Sequence, residues 1–597
     1  MGFQPDKDSG TCGTPGPGLP GGPGASDTPV SPVGPVRGER PAGFVKDGEQ
    51  DTCRPSSALA VALETAAGPG LRCRGASRDE LLGMLRQWQA LESWAATGKL
   101  ALLRALVRDD DQPLPGGGYR GDLPEGWTKS LTHEVALALS MSAVSADNLM
   151  WLAWDLEARL PGTGALLAAG ELTLPKARAV DQALSLLADQ DAARAEAMIL
   201  PGLPGKTYGQ VERLAVQAAV SVDPESAARR REDAEQNKCR VEMTREDSGA
   251  AALSGRDLPT DQTLAAHANV CARAKEYKDS GAFDRGTRMD QFRAAAYLDL
   301  INGVTAAARI AYGQLTAIAT TADDGFPGDQ GPAGAPPAAP SPPRLADLVL
   351  PLSTLLGLAE RPGEGHGLGP LDPDLCRELA LAAACSPWTR FCVTVTDSGG
   401  IAIGHGCARP PRGGTRYRGT LPSLGLPASV NLTIPADRLP ELAATAAHRA
   451  PGRPPPWSFT PADKGPPGDS GTWTLTLPGD RQLTVHLIKV PTFGCDHRHE
   501  SHAYQPNDTL RHLVQVRDYE CTFPPCSRHA RESDFEHGVP YHKGGRTCGC
   551  NAGARSRACH QVKQSPGWSV TQPVPGWHVW TTPSGRTYTQ APKRYPA

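Results

Sequence analysis

Thiol, imidazole, carboxylate and carboxamide side chains cluster near the end of the sequence. The cluster comprises Cys521, Cys526, Glu536, His537, Cys548, Cys550, Asn551, Cys559 and His560. Side chains of these types rarely gather without a metal, and their hardness divides them into two sets. The cysteines suit a closed structural zinc site. Glu536, Asn551 and His560 are harder ligands and suit an open catalytic cation such as Mg²⁺ or Mn²⁺.

The order of these residues resembles the HNH nuclease motif, the ββα-metal module. In that family an acidic residue and a His end a strand, an Asn follows in a glycine-rich loop, and a helix then carries a Cys-His pair. The matching elements here are Glu536-His537, Asn551 and Cys559-His560. The chain from about residue 79 to 597 also resembles actinobacterial proteins that join a DUF222 helical region to a C-terminal HNH domain. That likeness rests on the runs 87–94, 350–357, 401–406 and 580–588.

The resemblance implies a metal-dependent endonuclease that hydrolyses the phosphodiester bonds of DNA. His537 would be the general base that deprotonates water, because imidazole titrates near neutral pH. Glu536 and His560 would hold the cation that stabilises charge on the phosphate and on the leaving oxygen. Asn551 would either orient His537 through its amide or complete the metal shell. The family usually has Asp at position 536, so the longer Glu puts the geometry of the site in question.

The zinc ligands are incomplete in the sequence. Cys521 and Cys526 fit one half of a zinc knuckle, and the resemblance places the other half at Cys559 and at position 556, which is Ser here. Serine is a poor zinc ligand. Two nearby thiols could supply the missing one, Cys548 and Cys550. A small ββα unit has little core, so we expect about one structural zinc per chain, the alternative being thiols that simply pack.

The charge distribution favours a polyphosphate partner for the C-terminal part. The 597-residue chain has a formal net charge of −3, yet residues 540–597 contain Lys and Arg and no Asp or Glu. A uniformly cationic segment beside a metal site suits DNA, although a solvated basic tail has the same composition. Arg546, Arg557 and Lys563 are the candidate DNA contacts.

The cysteine count and the N-terminus bear on the compartment. Fifteen cysteines without regular spacing argue against a disulfide scaffold. The first residues lack an apolar targeting segment, and the sequence has no run of 18 apolar residues. We therefore expect a cytoplasmic protein without a membrane partner, and the oligomeric state stays open.

Composition and periodicity predict a multidomain, mainly α protein with a small α+β module at the C-terminus. Gly 65 and Pro 57 indicate that part of the chain is linker. The predicted segments are a disordered tail (1–55), a helical DUF222-like domain (77–320), a Pro/Gly-rich linker (325–343), a mixed α/β continuation with low-complexity insertions (344–490) and the HNH domain (495–597).

The helical domain shows apolar residues at helical spacing and no nucleotide-binding fingerprint. A capping box at Ser77 and Glu80 begins the first helix, in which we expect Trp88 and Trp94 to lie in the core rather than stack on bases. Further helices are predicted at 131–141, 145–156, 174–187, 192–199, 208–219, 224–236 and 289–307, with a short strand from Arg240. This region is interpreted as a scaffold or a partner-binding domain.

The mixed region alternates helical and strand patterns. Helices are predicted at 345–356 with a kink at Pro351, at 373–385, at 435–448 and at 510–516. Hairpins are predicted at 391–404 and 472–488.

A histidine-rich loop offers a second group of metal ligands. Its members are Cys495, His497, His499 and His502. Histidine-rich surface loops are common, so packing beside the nuclease site is the main alternative. His405 is interpreted as structural.

Two rival functions fit the same residues. One is a zinc-stabilised nucleic-acid-binding module without cleavage, which Ser556 and Glu536 favour. The other is an interaction protein in which the helical region is the functional part.

Overall fold

The computed structural model describes residues 43–110, 117–315, 345–386, 388–409, 426–442, 457–462 and 471–596. The chain divides into two compact units, Met1–Trp94 and Ala95–Ala597. The fold is a multidomain α/β fold, with helices in the N-terminal part and a mixed, sheet-rich C-terminal part. The prediction of a mainly α protein therefore holds only for the N-terminal part. The predicted linker at 325–343 lies outside the described residues.

Residues 43–55 of the segment predicted to be disordered are folded, and residues 1–42 of that segment lie outside the described residues. Phe44 packs with α1 (Ser57–Ala67), a helix that the sequence analysis missed, and with the start of α2 (Arg78–Arg108). The predicted capping box at the start of α2 is confirmed. The Ser77 amide donates to Glu80 Oε2 at 2.6 Å, and the Glu80 amide donates to Ser77 Oγ at 3.2 Å.

The predicted burial of Trp88 and Trp94 is wrong. Their exposed fractions are 40% and 41%. The buried stripe of this part of α2 runs through Met84, Gln87 and Leu91, and among the described residues α1 and the segment around Phe44 cover it. A residue next to a stripe position is rotated by about 100° away from it, so Trp88 lies at the edge of the contact.

The helical region from 117 to 315 confirms most of the predicted helices. Its helices are α3 Lys129–Ala138, α4 Ala143–Ala158, α5 Pro161–Ala168, α6 Leu174–Leu184, α7 Asp189–Ile199, α8 Tyr208–Val222, α9 Ser226–Asp233, α10 Thr260–Asp279, α11 Met289–Asn302 and α12 Ala306–Tyr312. Leucines and many alanines form one core among α3 to α8. The small alanines allow these helices to pack closely.

Helix α10 and two hairpins were not predicted. The hairpins pair β1 (Tyr119–Arg120) with β2 (Leu123–Pro124), and β3 (Arg240–Arg245) with β4 (Ala251–Arg256). Only the start of β3 was expected. Helix α10 is mostly exposed and lacks an apolar stripe, so periodicity does not reveal it. It is held by Tyr277, whose hydroxyl donates to Asp299 Oδ2 at 2.8 Å, and Asp299 in turn pairs with Arg309.

Among the described residues, nine strands form one mixed sheet in the order β11-β12-β13-β9-β8-β10-β5-β6-β7. The strands are β5 Ala346–Pro351, β6 Gly363–Gly365, β7 Gly369–Leu371, β8 Arg390–Thr396, β9 Ala402–Arg409, β10 Ala428–Pro435, β11 Ser458–Pro461, β12 Gly471–Leu477 and β13 Arg481–Lys489. Strand β10 pairs in parallel with β5 and β8, and the other pairs are antiparallel. The hairpins β8–β9 and β12–β13 and the helix α14 (Pro373–Ala384) confirm three predictions.

The predicted helix at 435–448 is confirmed in its described part, because residues 436–442 are helical once β10 ends at Pro435, and residues 443–448 lie outside the described part. The predicted helix at 345–356 is wrong, because residues 346–351 form β5 and only Leu352–Leu355 are helical, as α13. A short apolar run buried on both faces has no alternation, so periodicity cannot separate strand from helix.

The C-terminal part places two strands and a helix in the order ββα. Helix α15 (Asp508–Asp518) precedes β14 (Asp534–His537), β15 (Ala552–Arg555) and α16 (Arg557–Lys563). A three-stranded sheet follows, formed by β16 Ser569–Val574, β17 Trp577–Thr581 and β18 Thr587–Gln590.

Helix α3 of the helical region lies directly against the C-terminal module. Leu137 shares a core with Cys521, Phe523 and Trp580, and Trp568 Nε1 donates to Ser130 Oγ at 2.7 Å. Trp568 and Trp580 therefore close the core of the module.

Within the described ranges, no helix taken alone combines the length and the apolar character that crossing a bilayer requires. The helices Lys129–Ala138 and Ala143–Ala158 reach that length and apolar character only when they are taken together, and a bend of 103° separates them.

Candidate functional site

Strand β14 divides its side chains between two faces, because successive residues of a strand point in opposite directions. Asp534 and Glu536 face α16, whereas Phe535 packs against α15. On the α16 side, His560 Nδ1 lies 2.8 Å from Asp534 Oδ2 and His560 Nε2 lies 3.0 Å from Glu536 Oε2. The structure therefore brings together the two predicted cation ligands.

Asp534 is a functional candidate that the sequence analysis did not assign. It precedes Glu536 by two residues on the same strand face, so strand alternation could have identified it. Its carboxylate accepts the Nδ1 proton of His560 and turns Nε2 toward Glu536, which is the arrangement that carboxylates commonly impose on metal-binding histidines.

Lys563 is buried in this site and is not an exposed phosphate contact, which corrects its predicted role. Its ammonium lies 2.7 Å from Glu536 Oε1 and also donates to the His537 carbonyl oxygen. Burial raises the pKa of Glu536, but hydrogen bonds from His560 and Lys563 outweigh it and lower the pKa to about 2. The hydrogen bond to Glu536 raises the pKa of His560 above its ordinary value, against the opposing effect of burial. Glu536 is therefore ionised and surrounded by cationic donors.

His537 is held in one orientation by Thr547 and Tyr504. Its Nε2 lies 2.9 Å from Thr547 Oγ1, and its ring stacks on that of Tyr504 with centroids 5.4 Å apart. The Thr547 hydroxyl also lies 3.4 Å from the Tyr504 carbonyl oxygen, a weaker contact than the one to His537, so its main partner is the Nε2 edge of the ring. Burial lowers the pKa of His537, which favours the neutral ring.

Asn551 holds the loop between β14 and β15. Its Nδ2 donates both hydrogens to backbone carbonyl oxygens, of Val539 at 3.0 Å and of Arg546 at 2.9 Å, and its Oδ1 accepts from the Val539 amide at 2.7 Å. It has no hydrogen left to donate to His537, so the predicted contact with the base is corrected, and its carboxamide oxygen accepts from the loop. The loop is tight, since a Cβ on Gly545 would lie 1.9 Å from the Val539 carbonyl oxygen.

Glu536, His537 and Lys563 line one pocket of about 680 Å³, together with Tyr504 and His542. The remaining predicted DNA contacts, Arg546 and Arg557, have exposed side chains and weak ion pairs with acidic neighbours. Their guanidinium groups can therefore reach an anionic ligand.

The predicted zinc triad is assembled. The thiols of Cys521, Cys526 and Cys559 lie within 4.8 Å of one another. Ser556 Oγ is 3.7 Å from Cys526 Sγ, next to the triad, while Ser556 also caps α16 by accepting from the Cys559 amide at 3.3 Å. The fourth position is therefore occupied by a hydroxyl where a thiol would complete the site.

Cys548 and Cys550 belong to a different group, which corrects their predicted role in the triad. They converge with Cys495 and His497, and the four ligand atoms lie within 4.8 Å of one another. Cys548 Sγ is 3.4 Å from Cys495 Sγ and 3.3 Å from His497 Nδ1. The other members of the predicted second metal loop, His499 and His502, are not part of this group.

A third group lies on the nine-stranded sheet and includes His405, which was interpreted as structural. Its members are Cys392, His405, Cys407 and His512. His405 and His512 are 107 residues apart, so only the alternation His405-x-Cys407 was visible before folding.

One family model and two relatives show similarity to parts of the chain. Residues 116–320 match the family described as "Domain of unknown function (DUF222)". The chain is 36% identical over 98 residues to the uncharacterized protein Rv3776 of Mycobacterium tuberculosis H37Rv. The matched segment covers 16% of this chain and 18% of that protein. It is 33% identical over 95 residues to the uncharacterized protein Rv2100 of the same strain, covering 15% and 16% respectively. The chain thus spans less than a fifth of these relatives, and no solved structure matches it.

Proposed function

We propose that the C-terminal module is a metal-dependent endonuclease that hydrolyses DNA phosphodiester bonds in the manner of HNH proteins. One observation carries the proposal. His560 connects two carboxylates on one face of β14, while the adjacent His537 presents a buried imidazole that Thr547 holds at Nε2. A general base and a pair of cation ligands thus sit at the same strand end.

The residues of the site divide the work of hydrolysis. Glu536 and His560 would hold Mg²⁺ or Mn²⁺, and Asp534 would retain the Nδ1 proton so that Nε2 is available as a ligand. A bound cation would supply charge stabilisation for the phosphate and the leaving 3′ oxygen. His537 would take the proton of the attacking water on Nδ1.

DNA is the proposed partner because the exposed charges near the pocket are cationic. Arg546 lies in the loop between β14 and β15, Arg557 is the first residue of α16, and Lys543 lines the pocket itself. Contacts of this kind bind the phosphate backbone without reading sequence.

Two zinc ions are proposed to stabilise the module. One is held by Cys521, Cys526 and Cys559. The other is held by Cys495, His497, Cys548 and Cys550, whose Cys3His chemistry suits zinc. The second site has a direct consequence for the base, because Cys548 follows Thr547 and Cys550 precedes Asn551 in the chain. A zinc there would fix the loop that positions His537.

The test is cleavage of supercoiled plasmid by the purified full chain with Mg²⁺, with Mn²⁺ and with EDTA. We expect nicking or cutting only with a divalent cation, and loss of at least about 100-fold in rate for His537→Ala with DNA binding retained. His542→Ala is the matched control, since His542 lines the same pocket but is exposed. Cleavage by His537→Ala at the wild-type rate would remove His537 from the role of base.

A second function is favoured by the position of Lys563. Its ammonium already neutralises Glu536, so the module could bind nucleic acid without recruiting a catalytic cation. Retained DNA binding with no cleavage under any divalent cation would support this zinc-stabilised binding module and refute the nuclease.

A further inference from the structure

Two strands and one helix bring four metal-ligating side chains together away from the nuclease pocket. Cys392 lies on β8, His405 and Cys407 on β9, and His512 on α15. Cys392 and Cys407 are direct neighbours across the two strands. The four ligand atoms lie within 4.8 Å of one another.

The distances within this group are close to those of a tetrahedral metal site. Zinc bonds of about 2.3 Å to sulfur and 2.0–2.1 Å to nitrogen put tetrahedral ligand atoms roughly 3.3–3.8 Å apart. Here Cys407 Sγ lies 3.1 Å from Cys392 Sγ, 3.1 Å from His512 Nε2 and 3.8 Å from His405 Nε2. The two Nε2 atoms are 2.9 Å apart. Both cysteines are free thiols.

A hydrogen-bond chain sets His405 in the tautomer that a metal needs. The Thr394 hydroxyl donates to Asn431 Oδ1 at 2.7 Å, so its oxygen must accept from His405 Nδ1, which lies 2.9 Å away. The proton of the neutral ring is therefore on Nδ1, and the lone pair of Nε2 points at the other three ligands. Outer hydrogen bonds of this kind are typical of metal-binding histidines.

The group leaves little room for anything besides an ion. Cys392 and His405 are 6% and 2% exposed, and the cavity beside the two histidines has a volume of about 20 Å³. Two thiolates balance the charge of a divalent cation. Four protein donors without an open position are characteristic of a structural site rather than a catalytic one.

We propose that Cys392, His405, Cys407 and His512 form a closed, structural Cys2His2 zinc site. It joins α15 to the centre of the nine-stranded sheet. The other side of α15 packs on the ββα unit, where Leu510 and Val514 contact Ala552. The zinc thus anchors the module to the sheet, and this role holds whether or not the module cleaves DNA.

The experiment compares zinc content by elemental analysis in the full chain, purified under reducing conditions without chelator. We expect Cys407→Ser and His512→Ala each to lose about one zinc relative to wild type. Cys385→Ser is the matched control because this half-buried thiol is outside the three groups found among the described residues, and its zinc content should not change. Circular dichroism confirms folding. His512 is half-buried on a helix, so alanine there preserves the local structure.

A second measurement keeps the inference testable if Cys407→Ser does not fold. Cobalt replaces zinc in wild type and in His512→Ala, and the visible absorption of tetrahedral thiolate-bound cobalt should be reduced in the variant. Equal zinc content and equal cobalt spectra in wild type and His512→Ala would overturn the proposal. Peptide mapping that finds a disulfide between Cys392 and Cys407 in the reduced preparation would also overturn it.

Discussion

The neighbours Cys559 and His560 should separate the two metals of the ββα unit. Successive residues on a helix point about 100° apart. Cys559 joins the thiols of Cys521 and Cys526, whereas His560 points to Asp534 and Glu536. Replacing Cys559 should therefore remove zinc, and replacing His560 should remove cleavage.

The expected cost of His560→Ala in stability is small. The variant loses two hydrogen bonds to carboxylates, nominally about 1.5–3 kcal/mol each. In the variant, Glu536 keeps its ion pair with Lys563 and Asp534 keeps its ion pair with Arg557. Alanine also has a high helix propensity. We therefore expect a net loss of roughly 1–2 kcal/mol, a shift of a few degrees in the unfolding temperature. Cleavage should fall by more than about 100-fold, because one of two cation ligands is gone.

The expected cost of Cys559→Ser is large. Structural zinc contributes on the order of 10 kcal/mol to the folding of small metal-dependent domains, and the triad has only three thiolates to begin with. Losing one should release the zinc and unfold the module, with a loss of several kcal/mol.

The assay measures zinc content, thermal unfolding and plasmid nicking on the same preparations of wild type and both variants. His560→Ala should keep its zinc and its fold while losing cleavage, and Cys559→Ser should lose all three. If both variants behave alike, or if His560→Ala releases zinc, the division between the two residues is wrong.

Three further predictions concern single side chains. Thr547→Val removes the hydroxyl that orients His537, and should lower the cleavage rate about 10–100-fold with DNA affinity unchanged; an unchanged rate would contradict the positioning role of Thr547. Ser556→Cys should complete the triad with a fourth thiolate and raise zinc affinity in a chelator competition, whereas an equal or lower affinity would show that Ser556 is not at the fourth position. Burial and the neighbouring Asp155 raise the pKa of Asp181 to about 7. The folded state therefore binds this proton more tightly than the unfolded state, and stability should fall as the pH rises from about 4 to 7, by up to roughly 4 kcal/mol. Asp181→Asn should flatten that slope in urea unfolding at several pH values, and an unchanged slope would refute the assignment.

The sequence alone determined the elements whose causes are local. The capping box at Ser77 depends on four consecutive residues and was predicted correctly. The same holds for the hairpins β8–β9 and β12–β13, whose turns and alternation are contained in each segment. The grouping of Cys521, Cys526 and Cys559 was also predictable, since the cysteines flank one short ββα unit.

Only the tertiary structure decided which polar groups meet. Asn551 and Lys563 have the residue types of a metal ligand and a phosphate contact, yet the fold uses the first to close a loop and buries the second against Glu536. The parallel strands β5 and β10 were missed because burial on both faces removes the alternation that marks a strand.

The ligand groups at Cys392 and Cys495 show the physical reason most clearly. Cys495 meets Cys548 across 53 residues, and His405 meets His512 across 107. Such encounters depend on strand register and on how α15 packs against the sheet. A one-residue shift in the register of β8 or β9 would turn Cys392, or His405 and Cys407, to the opposite face, and the loops that carry Cys495 and Cys548 meet only in the folded chain, so no local pattern in the sequence can specify these groups.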